Sequence, residues 1–323
     1  MAGASPKQAK ASRTKAPRAT SPRKPVAYQG EPGANSEDAV AICFGETAML
    51  PCRTLADAFA AVQSGRARAA VVPVENSTAG SIVETYDLLR SSGLVVAGEV
   101  LWPVDHCLVA LPGQTLKDIT QVYSHPQALA QCDTFLREHR LEPVAAADTA
   151  GSARLLKERG LRGAAAISSR RAAVLYGLDV LAEKIQATRN NITRFFVIAR
   201  KPAPRGPRNK TAIVIATPNR PGALYWCLGA LACRSINLTK LEARPSREHP
   251  WEYVFYAEFE GHADDPEVDS ALRDLATKAS EVRVLGSFPA AAEISGAAES
   301  SDAESRLTKK SCPPKRNTRS RRE

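Results

Sequence analysis

From Val26 to Arg200, short apolar runs alternate with stretches of helical periodicity. "AAVVPV" (69–74) is followed by the polar loop "ENSTAGS" and the helical "IVETYDLLRS". "QVYS" (121–124) precedes "HPQALAQCDTFLREH", where Leu129, Cys132 and Leu136 fall on one helix face. "PVAAAD" precedes "TAGSARLLKERG", with Gly160 placed to cap that helix. "AAAIS" precedes "SRRAAVLYG". This alternation predicts an α/β architecture with mainly parallel strands. The segment ends on "NNITRFFVIAR", in which Phe195 to Ala199 reads as a buried strand with Thr193 and Arg194 at its mouth. If the backbone is already extended there, Thr193 and Phe195 share one face and Arg194 points off the other.

"RKPAPRGPRNK" (200–210) breaks the pattern with prolines, arginines and a glycine, and reads as a linker over 201–210. Beyond it, 211–289 gives strand, helix, strand, strand, helix, strand, the βαββαβ order of ferredoxin-like units. In "WEYVFYAEFEG", Trp251, Tyr253, Phe255, Ala257 and Phe259 alternate onto one face. That stripe reads as core rather than as an RNA-stacking platform, because this unit carries no basic excess and no RNP-type motif. The organisation expected is therefore a catalytic unit over 26–200, the linker, a regulatory unit over 211–289, and tails over 1–25 and 290–323.

Charge changes the picture of the tails only. The net +10 comes from residues 1–25, with seven Lys or Arg and no acid, and from 290–323, with eight against five acids, so the span between is neutral. Both tails are rich in Ala, Ser, Pro, Lys and Arg and read as solvated, disordered extensions rather than nucleic-acid-binding segments. An acid-free N-terminus loosely suits a transit peptide, but it has no apolar helical face. The seven cysteines (Cys43, Cys52, Cys107, Cys132, Cys227, Cys233, Cys312) show no C-x-x-C spacing and read as reduced thiols of a cytoplasmic protein. No apolar run is long enough to span a membrane.

Small hydroxyl or amide residues recur where strands give way to helices: Asn76-Ser77-Thr78, Ser124, Asp148-Thr149 and Ser168-Ser169. Singly each is a helix cap, and Ser124 with Gln127 fits a capping box. Together, at the carboxyl edges of parallel strands, they suit a small doubly anionic ligand. No glycine-rich phosphate loop and no metal-ligand cluster occurs, so no cofactor or metal is expected. His106 and His125 read as structural, with His125 near the proposed cleft, and no signature marks a covalent nucleophile.

The chain resembles prephenate dehydratases followed by the amino-acid-sensing ACT module. "VAYQGEPGANSEDA", "VVPVENSTAGSIVETYDLL", "HCLVALPG", "VYSHPQALAQC", "DTAGSARLL" and "NNITRFFVIAR" carry the first part. "PNRPGALYWCLGAL", "INLTKLEARP" and "PWEYVFYAEFEGH" carry the second. The resemblance implies a two-lobed, periplasmic-binding-protein-like α/β fold with the site between the lobes. It also implies decarboxylating dehydration of prephenate to phenylpyruvate, or of arogenate in the sister enzymes; a non-catalytic amino-acid sensor is the alternative from another class. Thr193 matches the essential threonine of the family's T-R-F motif.

Aromatisation drives this reaction without a cofactor, and the difficulty is the departing ring hydroxyl. Thr193 is the expected donor to it, with Glu75, Asn76, Ser77, Thr78, Ser124, His125, Gln127, Thr149, Arg194 and Phe195 around the substrate. Arg194 either anchors the side-chain carboxylate or forms a supporting ion pair, because gripping the ring carboxylate would oppose its loss. Glu75 reads as holding its loop in preference to acting as an acid. In the ACT module the resemblance implies phenylalanine bound at an interface of a homodimer or homotetramer, at Gly222, Ala223, Leu224, Asn237, Glu242 and Arg244. Here the chain has G-A-L-Y and E-A-R-P where G-A-L-V and E-S-R-P are common, so Tyr225 and Ala243 put the phenylalanine response in question. A chorismate mutase domain ahead of Val26 is not expected, since about 25 basic residues cannot form one.

Overall fold

The computed structural model describes residues 24–188, 190–245 and 253–291. The expected basic tails therefore lie outside the described residues almost entirely, as do Trp251 and Cys312.

In chain order the elements are β1 (Val26–Gln29), α1 (Asn35–Phe44), β2 (Met49–Cys52), α2 (Leu55–Gln63), β3 (Ala69–Asn76), β4 (Gly80–Ser81), α3 (Val83–Ser92) and β5 (Val95–Pro103). The chain then crosses to a second lobe with β6 (Cys107–Ala110), β7 (Gln121–Ser124), α4 (Pro126–Gln131), α5 (Asp133–Glu138), β8 (Glu142–Ala145), α6 (Thr149–Arg159), β9 (Ala164–Ser168), α7 (Arg170–Tyr176) and β10 (Asp179–Ala182). It returns to the first lobe as β11 (Ile192–Ala199). A third unit follows: β12 (Asn209–Thr217), α8 (Ala223–Ala232), β13 (Leu238–Pro245), β14 (Tyr253–Glu260), α9 (Pro266–Ala276) and β15 (Glu281–Pro289).

The first sheet has the order β2-β1-β3-β11-β5, with β4 paired to β3, and the second the order β10-β6-β9-β7-β8. Strands β1, β2, β3 and β5 in one sheet, and β7, β8, β9 and β10 in the other, run in a common direction. The strands that enter and leave the crossings pair antiparallel, β11 with β3 and β5, and β6 with β9 and β10. The expectation of mainly parallel strands therefore holds in direction; β4, β6 and β11 run against the rest, and β6 and β11 are the first strands after the crossings between lobes.

The third sheet, β13-β14-β12-β15, is antiparallel and has the ferredoxin-like order. The aromatic stripe of β14 is core as expected at Phe255, Ala257 and Phe259, while Tyr253 is exposed. β14 is buried on both faces, not one: Phe255, Ala257 and Phe259 pack under α8 and α9, while Val254 and Tyr256 join Tyr86, Leu89 and Phe196 of the first lobe. The unit is a layer with a helix-covered face and a lobe-covered face. Approach is closest at Gly286, where an added Cβ would collide with the Val96 backbone carbonyl.

Local chemistry explains several boundaries. Thr54 and Asp57 form a reciprocal capping box on α2, Asp148 caps α6 by accepting from Gly151 N at 2.6 Å, and Gly160 ends α6 in the left-handed conformation. The predicted single helix after β7 is broken at Cys132 into α4 and α5. Leu129, Cys132 and Leu136 still share the second lobe's core, and burial raises the Cys132 thiol to about 12.

Candidate functional site

Three strand ends of the first lobe meet at one point. Thr193 of β11 lies opposite Asn76 of β3 and Trp102 of β5. The approach to that point is irregular, because Phe195 pairs with Pro73 but Arg194 pairs with Glu75, leaving Val74 as an extra residue. Proline, with no N–H to give the ladder, is tolerated beside such a bulge. The Val74 carbonyl is instead taken by Ile82 N at 2.8 Å. The bulge turns Glu75 to the face of Val72 and Val74, and Asn76 to the face of Phe195.

Around Thr193 the side chains form a polar ring with a fixed sense. Asn76 Nδ2 donates to Thr193 Oγ1 at 3.0 Å and to Asn191 Oδ1 at 2.8 Å. Asn76 Oδ1 accepts from Thr78 N at 3.1 Å, Thr78 Oγ1 at 2.6 Å and Ala79 N at 3.1 Å. Gln131 of the second lobe donates to Thr78 Oγ1 at 2.6 Å, and its Oε1 accepts from Asn191 Nδ2 at 3.1 Å. Gln131 Oε1 also meets His106 Nε2 at 2.7 Å. Since Oε1 can only accept, His106 carries its proton on Nε2; burial holds its pKa below the ordinary value and keeps it neutral. Thr193 Oγ1 is thus an acceptor toward Asn76, and no described residue accepts its own proton.

The opposite face of β11 is ionic. Arg194 Nε donates to Glu99 Oε2 at 2.7 Å, Nη1 to Glu258 Oε1 at 3.1 Å, and Nη2 closes a bidentate pair with Glu258. The guanidinium lies over Phe196 at 4.8 Å, and Glu75 Oε2 stands 3.7 Å from it. Glu99 also takes Lys210 at 2.9 Å, and Glu75 takes Lys240 at 3.0 Å. Glu99 and Glu258 are almost wholly buried. Burial pushes the Glu99 carboxyl up, but Arg194 and Lys210 outweigh it and its pKa is lowered.

The geometry treats the sequence-derived candidates unequally. Asn76, Thr78 and Thr193 are brought together. Ser77 adjoins them, but its hydroxyl donates to Asn190 O at 2.7 Å and receives Ile192 N at 2.9 Å, fastening the loop. These residues cap no helix, since α3 begins after Ile82 without a side-chain cap. The Ser124–Gln127 capping box is likewise replaced: His125 is the cap, accepting Gln127 N at 3.2 Å, and the buried Ser124 donates to Ile167 O at 2.8 Å. Gln127 and His125 are exposed, Thr149 opens α6, and Phe195 is core beneath Thr193. Arg194 and Glu75 face away from Thr193 into the ionic cluster. Sequence reasoning missed Gln131, Asn191, Glu99, Glu258, Lys210 and Lys240. Asn191 had a legible signal, a polar residue just ahead of a buried strand, whereas the others come from distant elements.

Between the lobes, a cavity of about 760 Å³ is lined by Gly30, Glu31, Arg53, Asp148, Gly151 and Arg154. The lobes are tied beside it by Arg154–Glu31 at 3.3 Å and by Arg171 to Glu37 at 2.9 Å and Asp38 at 3.1 Å. Among the described residues no cluster of His, Cys, Asp and Glu is arranged to hold a metal, and no helix is long and apolar enough to cross a membrane.

In the third unit a cavity of about 370 Å³ brings together Gly222, Ala223, Leu224, Tyr225, Tyr253 and Phe255. Gly222, at φ 77°, precedes the first turn of α8. Asn237, Glu242 and Arg244 do not line it. The Asn237 carbonyl accepts from Glu260 N, Glu242 accepts from Ser81 Oγ at 3.0 Å, and Arg244 lies half-buried on the same face of β13 as Glu242. Tyr225, Trp226 and Tyr253 are largely exposed.

The family model described as prephenate dehydratase matches residues 26–203. The chain is 42% identical over 275 residues to the arogenate dehydratase/prephenate dehydratase 2 of Arabidopsis thaliana chloroplasts, covering 82% of this chain and 72% of that protein. It is 38% identical to a bifunctional N-acyl-homoserine lactone acylase/prephenate dehydratase of Komagataeibacter europaeus, covering 82% of this chain and 95% of that one. Among solved structures, prephenate dehydratase from Arthrobacter aurescens in complex with L-Phe superposes with a TM-score of 0.75 at 34% identity, covering 81% of this chain and 89% of that one.

Proposed function

We propose that this chain, which belongs to the prephenate dehydratase family and is a hydro-lyase, converts prephenate to phenylpyruvate, CO2 and water on the route to phenylalanine. The observation that carries the proposal is the polarity at Thr193. Asn76 Nδ2 occupies an acceptor position of Oγ1, so the hydroxyl proton is free to meet the departing ring hydroxyl. A positioned donor of this kind contributes on the order of 10²- to 10⁴-fold. An alcohol is a weak acid, so fixed direction matters more than full proton transfer. Thr193 is the catalytic residue in this reading, with Asn76 orienting it and Thr78 and Gln131 orienting Asn76. Arg194 and Glu75, engaged with each other and with the third sheet, are supports. Ser124, Gln127 and Phe195 shape the lobes, and His125 and Thr149 stand at helix starts on the cleft side.

Residues 26–200 form the catalytic part in this proposal, 201–210 the linker, and 211–289 an ACT regulatory module. Phenylalanine is its effector, taken at Gly222, Ala223 and Leu224, where the first backbone N–H groups of α8 suit a carboxylate. The Arthrobacter relative, solved in complex with L-Phe, supports this choice of effector. The exposed aromatics Tyr225, Trp226 and Tyr253 suit a second copy, which would bring its own Asn237 to the cavity in a homodimer or homotetramer. No disulfide joins the described cysteines, which suits a cytoplasmic setting, although plant relatives are named chloroplastic.

Arogenate is the second reading, favoured by the double names of the plant relatives. Purified protein given prephenate and arogenate in parallel, each with and without phenylalanine, tests both. Phenylpyruvate from prephenate is the expected product. Turnover of arogenate alone would transfer the assignment to the sister reaction, and no product from either would leave an amino-acid sensor.

A further inference from the structure

The ionic cluster behind β11 is shared evenly between two sheets. Glu75, Glu99 and Arg194 come one each from β3, β5 and β11; Lys210, Lys240 and Glu258 come one each from β12, β13 and β14. Three positive and three negative side chains cancel, largely out of solvent and beside the apolar contact of Tyr86, Phe196, Val254 and Tyr256. A second link runs beside it: Lys240 donates to Ser81 Oγ at 2.7 Å and Ser81 donates to Glu242 at 3.0 Å.

These links grip both partners of the central hydrogen bond from behind. Arg194 is the residue after Thr193 on β11, and Glu75 is the residue before Asn76 on β3. Ser81 ends the loop that begins at Asn76. We infer that Glu258, Lys240 and Glu242 of the third sheet are positioning residues for dehydration, acting through Arg194, Glu75 and Ser81 to hold Asn76 and Thr193 in register. Within its own chain Glu242 is engaged with the catalytic loop through Ser81. None of the three touches the cleft, so their loss is felt in turnover and not in substrate affinity. Small displacements of reacting groups by remote changes cost on the order of 10²-fold in rate.

This inference rests on the dehydratase reading, and the test separates the two. Wild-type protein is assayed on prephenate and arogenate beside Glu258→Gln, Lys240→Met, Lys240→Arg and Glu242→Gln, with folding followed by circular dichroism. Expected is a fall in kcat of about tenfold or more for Glu258→Gln and Lys240→Met, with KM within about twofold. Lys240→Arg, which keeps the charge, should recover most of the loss, and Glu242→Gln should show a smaller fall of the same kind. A folded Lys240→Met protein with wild-type kcat, or one changed only in KM, would overturn the inference. If Glu258→Gln fails to fold, the Lys240 and Glu242 variants decide it alone. An inactive wild type on both substrates refutes the dehydratase reading itself, and the inference with it.

Discussion

Thr193 and Arg194 are adjacent in sequence, yet they work in unlike surroundings. On the Thr193 side of β11 the partners are neutral amides, a hydroxyl and an uncharged imidazole, linked by hydrogen bonds of fixed direction. On the Arg194 side the partners are carboxylates, of which Glu99 and Glu258 are almost wholly buried, with Lys210 and Lys240 completing the cluster. A neutral network can aim a proton without trapping a substrate carboxylate that must leave. A buried ionic one supplies stiffness, because breaking any pair strands a charge. The strand separates direction from rigidity.

Thr193→Ala should test the neutral side most severely. Turnover should drop by about 10²- to 10⁴-fold with substrate binding largely kept, and Thr193→Ser should retain part of the rate. Steady-state kinetics check this, and a Thr193→Ala enzyme with unchanged kcat would remove the donor role. Asn76→Asp is the sharper probe: it keeps the shape but replaces the Nδ2 donor by an acceptor, so the Thr193 proton is drawn to the wrong side. Its kcat should fall by about 10²-fold.

On the ionic side, Arg194→Met should destabilise the fold by about 3–5 kcal/mol, since Glu99 and Glu258 lose their common partner. Denaturant titration measures this, and a loss below about 1 kcal/mol would place the cluster among dispensable surface pairs.

The two sides also separate with pH. His106 is held neutral, so the unfolded chain binds more protons below the ordinary value of 6.5, and stability falls as pH drops through that point toward the lowered folded pKa. Glu99 is held charged, and its contribution persists above the ordinary carboxyl value of 4.5 and is lost only as pH falls further. Melting curves should therefore show two descents, and His106→Gln should erase the upper one. The smallest expected effect concerns the third unit. Tyr225→Val with Ala243→Ser should tighten the phenylalanine response severalfold, read as a shift in the inhibiting concentration.

Much of the fold was legible because periodicity records burial. The strand and helix runs, the Gly160 cap and the βαββαβ order all follow from local patterns, as does Thr193 facing away from Arg194. Which strands run against the rest was not legible, since that depends on where the chain crosses between lobes. Partnerships such as Gln131 with Thr78 or Glu258 with Arg194 join residues far apart in sequence. The two-sided burial of β14 depends on the first lobe lying beneath it, which alternation within one strand cannot report.

The one-residue irregularity at Val74 has an electrostatic consequence. Strict alternation after Val72 and Val74 would have sent Glu75 toward Thr193 and Asn76 toward the third sheet. A carboxylate there would repel a substrate that brings two negative charges of its own, and it would compete for the threonine proton. By shifting parity once, the chain keeps an acid and an amide side by side in sequence while only the amide shares the face of Thr193. The extra residue works as a charge filter written in the backbone.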